Sequence, residues 1–157
     1  MAADWSLLGR IGLGFALAYI VGFEREVRGS PAGDRTFALI GAATAALTAA
    51  LYKSSPQALA GAITGIGFIG AGVVFHTENS FVRGITTASA IFATAAIGVV
   101  IGTGRLLVGT VTAVGVLLIL ELRNIPLLRL LDARRYENAF RDDNDPPSQL
   151  RSKHQEP

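Results

Sequence analysis

SSPQALAGAITGIGFIGAGVVFHT, residues 54–77, contains no Asp, Glu, Lys or Arg. A bilayer core of roughly 30 Å is crossed by about 20 helical residues, so this one stretch is long enough to span it. Residues 36–52 and 84–104 are equally free of charge, as are the shorter runs 11–23 and 106–120. Only 17% of the 157 residues are charged, and the mean hydropathy is +0.44. Globular chains carry about 25% charged residues. An ordinary soluble enzyme with a polar exterior is excluded, and five spans leave no room for a second folded domain.

Working outward from residues 54–77, the pattern predicts an all-α bundle of five transmembrane helices within a domain covering residues 5–123. The spans are expected at about 5–23, 37–52, 57–75, 85–102 and 106–122. Trp5 suits the interfacial belt, and Arg10 is placed to snorkel outward from the first span. Ser55-Pro56 reads as N-cap and first helical residue of the third span. Gly102-Thr103-Gly104 reads as a tight turn. The fifth span is short, because only 15 residues separate Arg105 from Glu121. Pro126 then breaks the chain. Residues 124–137 mix Leu with Arg and are expected to lie on the membrane surface. Residues 138–157 are polar and contain Pro, and a disordered tail is expected there. The N-terminus lacks a positive n-region and an A-x-A-like site, so the first span is expected to be retained rather than cleaved. The spans do not alternate as barrel strands would.

Lys and Arg set the orientation. Arg25, Arg28, Arg35, Arg83 and seven residues after the fifth span fall on one face, 11 of the 14 basic residues. The positive-inside rule makes that face cytoplasmic, with the N-terminus outside and the C-terminus inside. The net charge of +2 is therefore a topology signal, and nucleic acid is not an expected partner.

Three blocks hold the candidate chemistry. The first is residues 22–36, with Glu24, Arg25, Glu26, Arg28, Gly29, Asp34, Arg35 and Thr36. Glu24 and Arg28 form an i,i+4 pair of favourable order, Gly29 and Gly33 permit a sharp return, and Asp34 is placed to cap the second helix. Glu24, Glu26 and Asp34 are the candidate ligands for Mg²⁺, although three Arg among them neutralise the field. Their competing reading is a solvated hairpin with helix caps. The second block is residues 61–72, with Gly61, Gly65, Gly67, Gly70 and Gly72. Gly61 and Gly65 make a G-x-x-x-G step that Gly72 continues, and Gly98 and Gly102 make another in the fourth span. Such steps let helices approach closely in lipid; the alternative is a loosened helix whose carbonyls line a cavity. In the third block, residues 81–89, Arg83, Thr86 and Thr87 open the fourth span. Arg83 is expected to snorkel or to pair with Glu24, Glu26 or Asp34. Tyr19, Thr44, Thr48, Thr64, Thr94 and Thr110 are lone polar residues inside spans, and Thr can bond its own helix backbone. No Asp, Glu, Lys or His stands at a midplane, there is no Cys, and no Walker A, HExxH or GxSxG sequence occurs. Enzymatic activity is not expected.

These blocks resemble the MgtC/SapB family of bacterial inner-membrane proteins. The matching pieces are Gly22-Phe23-Glu24-Arg25-Glu26, Arg28-Gly29, Ala32-Gly33-x-Arg35-Thr36, Gly65 through Gly72, and Val82-Arg83-Gly84-Ile85-Thr86-Thr87-Ala88. Arg10 fits the family's usual Arg in the first span. The resemblance covers about residues 7–122. It implies five spans, a role in adaptation to low magnesium and, in pathogens, survival inside host cells. It also implies regulation of other membrane proteins, such as the membrane sector of ATP synthase. Many family members add a soluble C-terminal domain of the ACT type, and the polar tail here is expected to stand in its place. Three functions follow as expectations: a non-catalytic membrane regulator, a transporter or channel for Mg²⁺ or a related solute, and an oligomerisation module. The G-x-x-x-G steps favour a homodimer or other homo-oligomer.

Overall fold

α1, Ala2–Val27, is the longest of five helices and the first in chain order. α2 follows at Asp34–Leu51, α3 at Pro56–Phe75, α4 at Ile85–Gly102 and α5 at Leu106–Leu120. The computed structural model describes residues 2–75 and 84–122, and no strand occurs among them. Residues 1–119 form one compact unit; of a second, residues 120–157, only the first three residues are described. His76, Arg83, the expected interfacial segment 124–137 and the expected tail 138–157 lie outside the described residues.

The charged ends of the spans stay helical. α1 runs four residues past Phe23 through Glu24 and Arg25, and α2 begins at Asp34 rather than at Phe37. α1, α3 and α4 are long and apolar enough to cross a membrane. α2 is not in that class, because Asp34 and Arg35 occupy its first turn. α5 is apolar throughout but has 15 residues.

Glycine sets the helix ends. Gly29 (φ +64) ends α1, with Gly29 N–H donating to Glu26 O at 2.9 Å and Ser30 N–H to Arg25 O at 3.0 Å. Gly104 (φ +93) repeats this after α4, with Gly104 N–H donating to Ile101 O at 2.9 Å and Arg105 N–H to Val100 O at 3.3 Å. Both are Schellman ends, whose left-handed residue glycine occupies without a Cβ penalty. The N-terminus of α2 corrects an expectation. α2 is capped by Gly33, not by Asp34. Asp34 is already helical and accepts Arg35 N–H at 2.6 Å. α4 is capped by Gly84 (φ +84), which tucks against the Val73 carbonyl, and no hydroxyl bonds its first turn.

The core is α1, α2 and α4. α2 runs antiparallel to α1 and parallel to α4. Gly14 of α1 faces Gly41 and Ala45, Ala18 faces Gly41, and Gly22 faces Asp34 and Phe37. On the other side of α2, Thr44 meets Gly98 and Thr48 meets Gly102. A Cβ at Gly102 would stand 2.6 Å from Ala45 O, so glycine is what permits the approach. Val21, Phe37, Ile91, Ile97 and Ile101 are fully buried between these helices. α5 packs on this core through Gly109 and Ala113, against Ile101 and Ile97. α3 is mostly uncovered and touches α4 at Gly70, where a Cβ would stand 3.7 Å from Ala88.

Candidate functional site

The end of the bundle where α1 stops and α2 and α4 begin gathers most of the described charge. Glu24 sits on the last turns of α1 and is only 8% exposed. A buried carboxylate needs partners, and it has two. Arg25 grips it in a fork, Nε to Oε2 at 2.5 Å and Nη2 to Oε1 at 2.6 Å. Arg28 Nε lies 3.4 Å from Oε1, the i,i+4 pair that the spacing predicts. Glu24 is thus committed to two guanidinium groups.

Glu26 points the other way. Its carboxylate fills the place where a Cβ on residue 33 would stand, which explains why that position is Gly33. There it faces the positive end of the α2 dipole. Glu26, Gly33, Asp34, Arg35 and Thr36 line an open cleft of about 440 Å³. The loop between α1 and α2 is tied to α4 by Ser30 Oγ and Thr87 Oγ1, 2.7 Å apart. Thr87 is buried, whereas Thr86 is exposed.

The structure therefore splits the expected acid cluster. Glu24 turns inward to its arginines, while Glu26 and Asp34 border the cleft, where Arg35 stands beside them. Among the described residues no group of three or more His, Cys, Asp or Glu is arranged to hold a metal ion. The three candidate Mg²⁺ ligands, Glu24, Glu26 and Asp34, thus do not form one such group among the described residues. The physical reason is that Glu24 is held by the two arginines of its own helix, Arg25 and Arg28. The expected pairing of Arg83 lies outside the described residues.

At the opposite end Arg10 does more than snorkel. Its Nη1 donates to Gly102 O at 3.2 Å, and its guanidinium lies against Gly104. It satisfies a carbonyl that the Schellman bonds leave over at the C-terminus of α4, where a cation is favoured by the dipole.

The glycine stripes also divide. Gly98 and Gly102 lie at close helix approaches, as their spacing suggests. The expected close packing of Gly61, Gly65, Gly67 and Gly72 has no counterpart within the described chain, since no atom lies within 4 Å of where their Cβ would be. Sequence reasoning missed one close seam, Gly14-Ala18-Gly22 of α1 against α2, where Gly41 and Ala45 face its first two residues. The signal was present as small residues at i,i+4 spacing. Glu26 beneath Gly33 carried no sequence signal, because the contact depends on how the loop returns.

No solved structure matches this chain. Protein MgtC of Brucella abortus (strain 2308) is 39% identical over 123 residues, 75% of this chain and 51% of that protein. The proposed magnesium transporter YhiD of Escherichia coli (strain K12) is 38% identical over 125 residues, 71% of this chain and 58% of that one. Protein SapB of Bacillus subtilis (strain 168) is 30% identical over 114 residues, 64% of this chain and 49% of that one. The chain spans about half the length of these relatives. The model of the MgtC family matches residues 11–126, which takes in the paired Glu24, the cleft and the whole glycine-seamed core, and the chain belongs to that family.

Proposed function

We propose that this chain is a non-enzymatic, five-span protein of the bacterial inner membrane that serves magnesium homeostasis by binding other membrane proteins. Its N-terminus is outside and its C-terminus cytoplasmic. The uncovered face of α3 carries this reading. Phe68 is 82% exposed, and among the described residues no other element comes within 4 Å of a Cβ position at Gly61 or Gly65, whereas Gly14, Gly41, Gly98 and Gly102 are closed against a neighbouring helix. Small residues open to lipid forgo the packing that drives helix association in membranes; a partner helix would restore it. The magnesium link rests on family membership and on the name of the Escherichia coli relative. The membrane sector of ATP synthase is the partner class that the resemblance implies, and a homo-oligomer is the simplest self-association.

Capture from native membranes tests it. The wild-type chain should retain a membrane-protein partner that Gly61→Leu with Gly65→Leu loses. Recovery of the chain alone sinks the regulator. A second reading, transport of Mg²⁺, is favoured by the name of the Escherichia coli relative and by the open cleft at Glu26 and Asp34. It requires Mg²⁺ flux in proteoliposomes that Glu26→Ala or Asp34→Ala abolishes; no flux across a steep gradient rejects it.

A further inference from the structure

Thr44 and Thr48 stand one helical turn apart on α2, each facing a glycine of α4, yet they are seated in opposite senses. Thr44 puts its hydroxyl beside Gly98 and donates to Ile40 O at 2.8 Å and to Gly41 O at 3.2 Å. Thr48 instead puts its Cβ and methyl into the notch at Gly102, 2.6 and 3.1 Å from where a Cβ would stand. Its hydroxyl is wholly buried and has no partner among the described residues. Turning Thr48 to copy Thr44 would pull the methyl out of that notch, and a β-branched side chain has few rotamers to choose from. Left without a partner, the hydroxyl would carry the desolvation cost of an unpaired group.

Gly102 is also where Arg10 lands, through Nη1 to the carbonyl oxygen. A guanidinium has five N–H donors, and that bond is the one it makes among the described residues. Arg10 thus reaches Gly102 from α1, and Thr48, whose hydroxyl is orphaned, packs its Cβ and methyl against the same glycine from α2. We infer that a buried water bridges Arg10 and Thr48 beside Gly102, accepting from the guanidinium and donating to Thr48 Oγ1. Arg10 is half-buried, which gives the water a way in from the end of the bundle. Buried waters characteristically make two to four such bonds to groups that are otherwise unsatisfied. The bridge also solvates a cation held among apolar helices.

Thr94 supplies the control. It is equally buried and equally unpartnered, but it lies two turns from Gly102, about 12 Å along α4. The test uses the full chain in lipid nanodiscs with labelled threonine methyls. Magnetisation should pass from water to the Thr48 methyl and not to the Thr94 methyl. Thr48→Val should lower the Tm while Thr94→Val raises it or leaves it unchanged, and Thr48→Val combined with Arg10→Leu should cost less than the sum of the two. No transfer to the Thr48 methyl overturns the water. So does a Thr48→Val that raises the Tm as Thr94→Val does, or strict additivity with Arg10→Leu. Should a variant fail to fold, the wild-type transfer decides alone.

Discussion

α2 and α3 are neighbours in sequence, α2 rich in Ala and α3 in Gly, and they meet opposite fates. Each glycine-facing turn of α2 is filled: Gly41 by Ala18 and Gly14 O, and the turns at Thr44 and Thr48 by Gly98 and Gly102. α3 carries more glycine, and among the described residues no other element lies within 4 Å of a Cβ position at Gly61, Gly65 or Gly67. The same small-residue spacing closes a seam in one helix and leaves a bare face in the other. Spacing permits close approach; it does not supply the partner. α2 lies between α1 and α4, so both of its small faces are used. α3 stands at the edge, held chiefly by α4.

The sharpest way to break this contrast is to add bulk on both sides of it. Gly41→Leu would drive a side chain into Ala18 and the Gly14 carbonyl. Overpacking costs about 1–3 kcal/mol and occasionally more. With backbone as one of the obstacles the upper end is expected, read as loss of folded protein in detergent. Arg10→Leu comes next. It removes a charge-assisted bond to Gly102 O, worth about 1.5–3 kcal/mol, and thermal unfolding should show the lower part of that range because Arg10 is only half-buried. Gly33→Ala is milder, at about 1 kcal/mol, the worth of typical cap and dipole contacts. The obstacle is the end of the flexible Glu26 side chain, which can swing away from α2. Glu26→Ala combined with Gly33→Ala should then unfold no sooner than Glu26→Ala alone. The smallest effect is expected on α3. Gly65→Ala meets open space and should stabilise the helix by up to about 1 kcal/mol through propensity. A large loss of stability there would mean that α3 is packed within the protomer after all, and the comparison with α2 would fail.

Much of this architecture was written locally. The charge-free runs gave five helices, close to their observed limits, because apolar length and flanking charge are properties of the chain itself. The C-terminal glycines of α1 and α4 and the Glu24–Arg28 pair also follow from residues within one turn of each other. Asp34 misled, since a side chain that can cap was displaced by the glycine before it, and the loop needed that glycine to clear Glu26.

By itself the sequence determined that the chain folds as apolar helices, how they end and which family it belongs to, because those depend on short-range periodicity and composition. Only the tertiary structure decided that Gly14, Gly41, Gly98 and Gly102 build the core while Gly61 and Gly65 do not. It alone turned Arg10 into a cap for a helix 92 residues away and parted Glu24 from Glu26. Each of these outcomes depends on which helix faces which. That is settled by the total packing of the bundle, a sum over distant pairs that no local pattern contains.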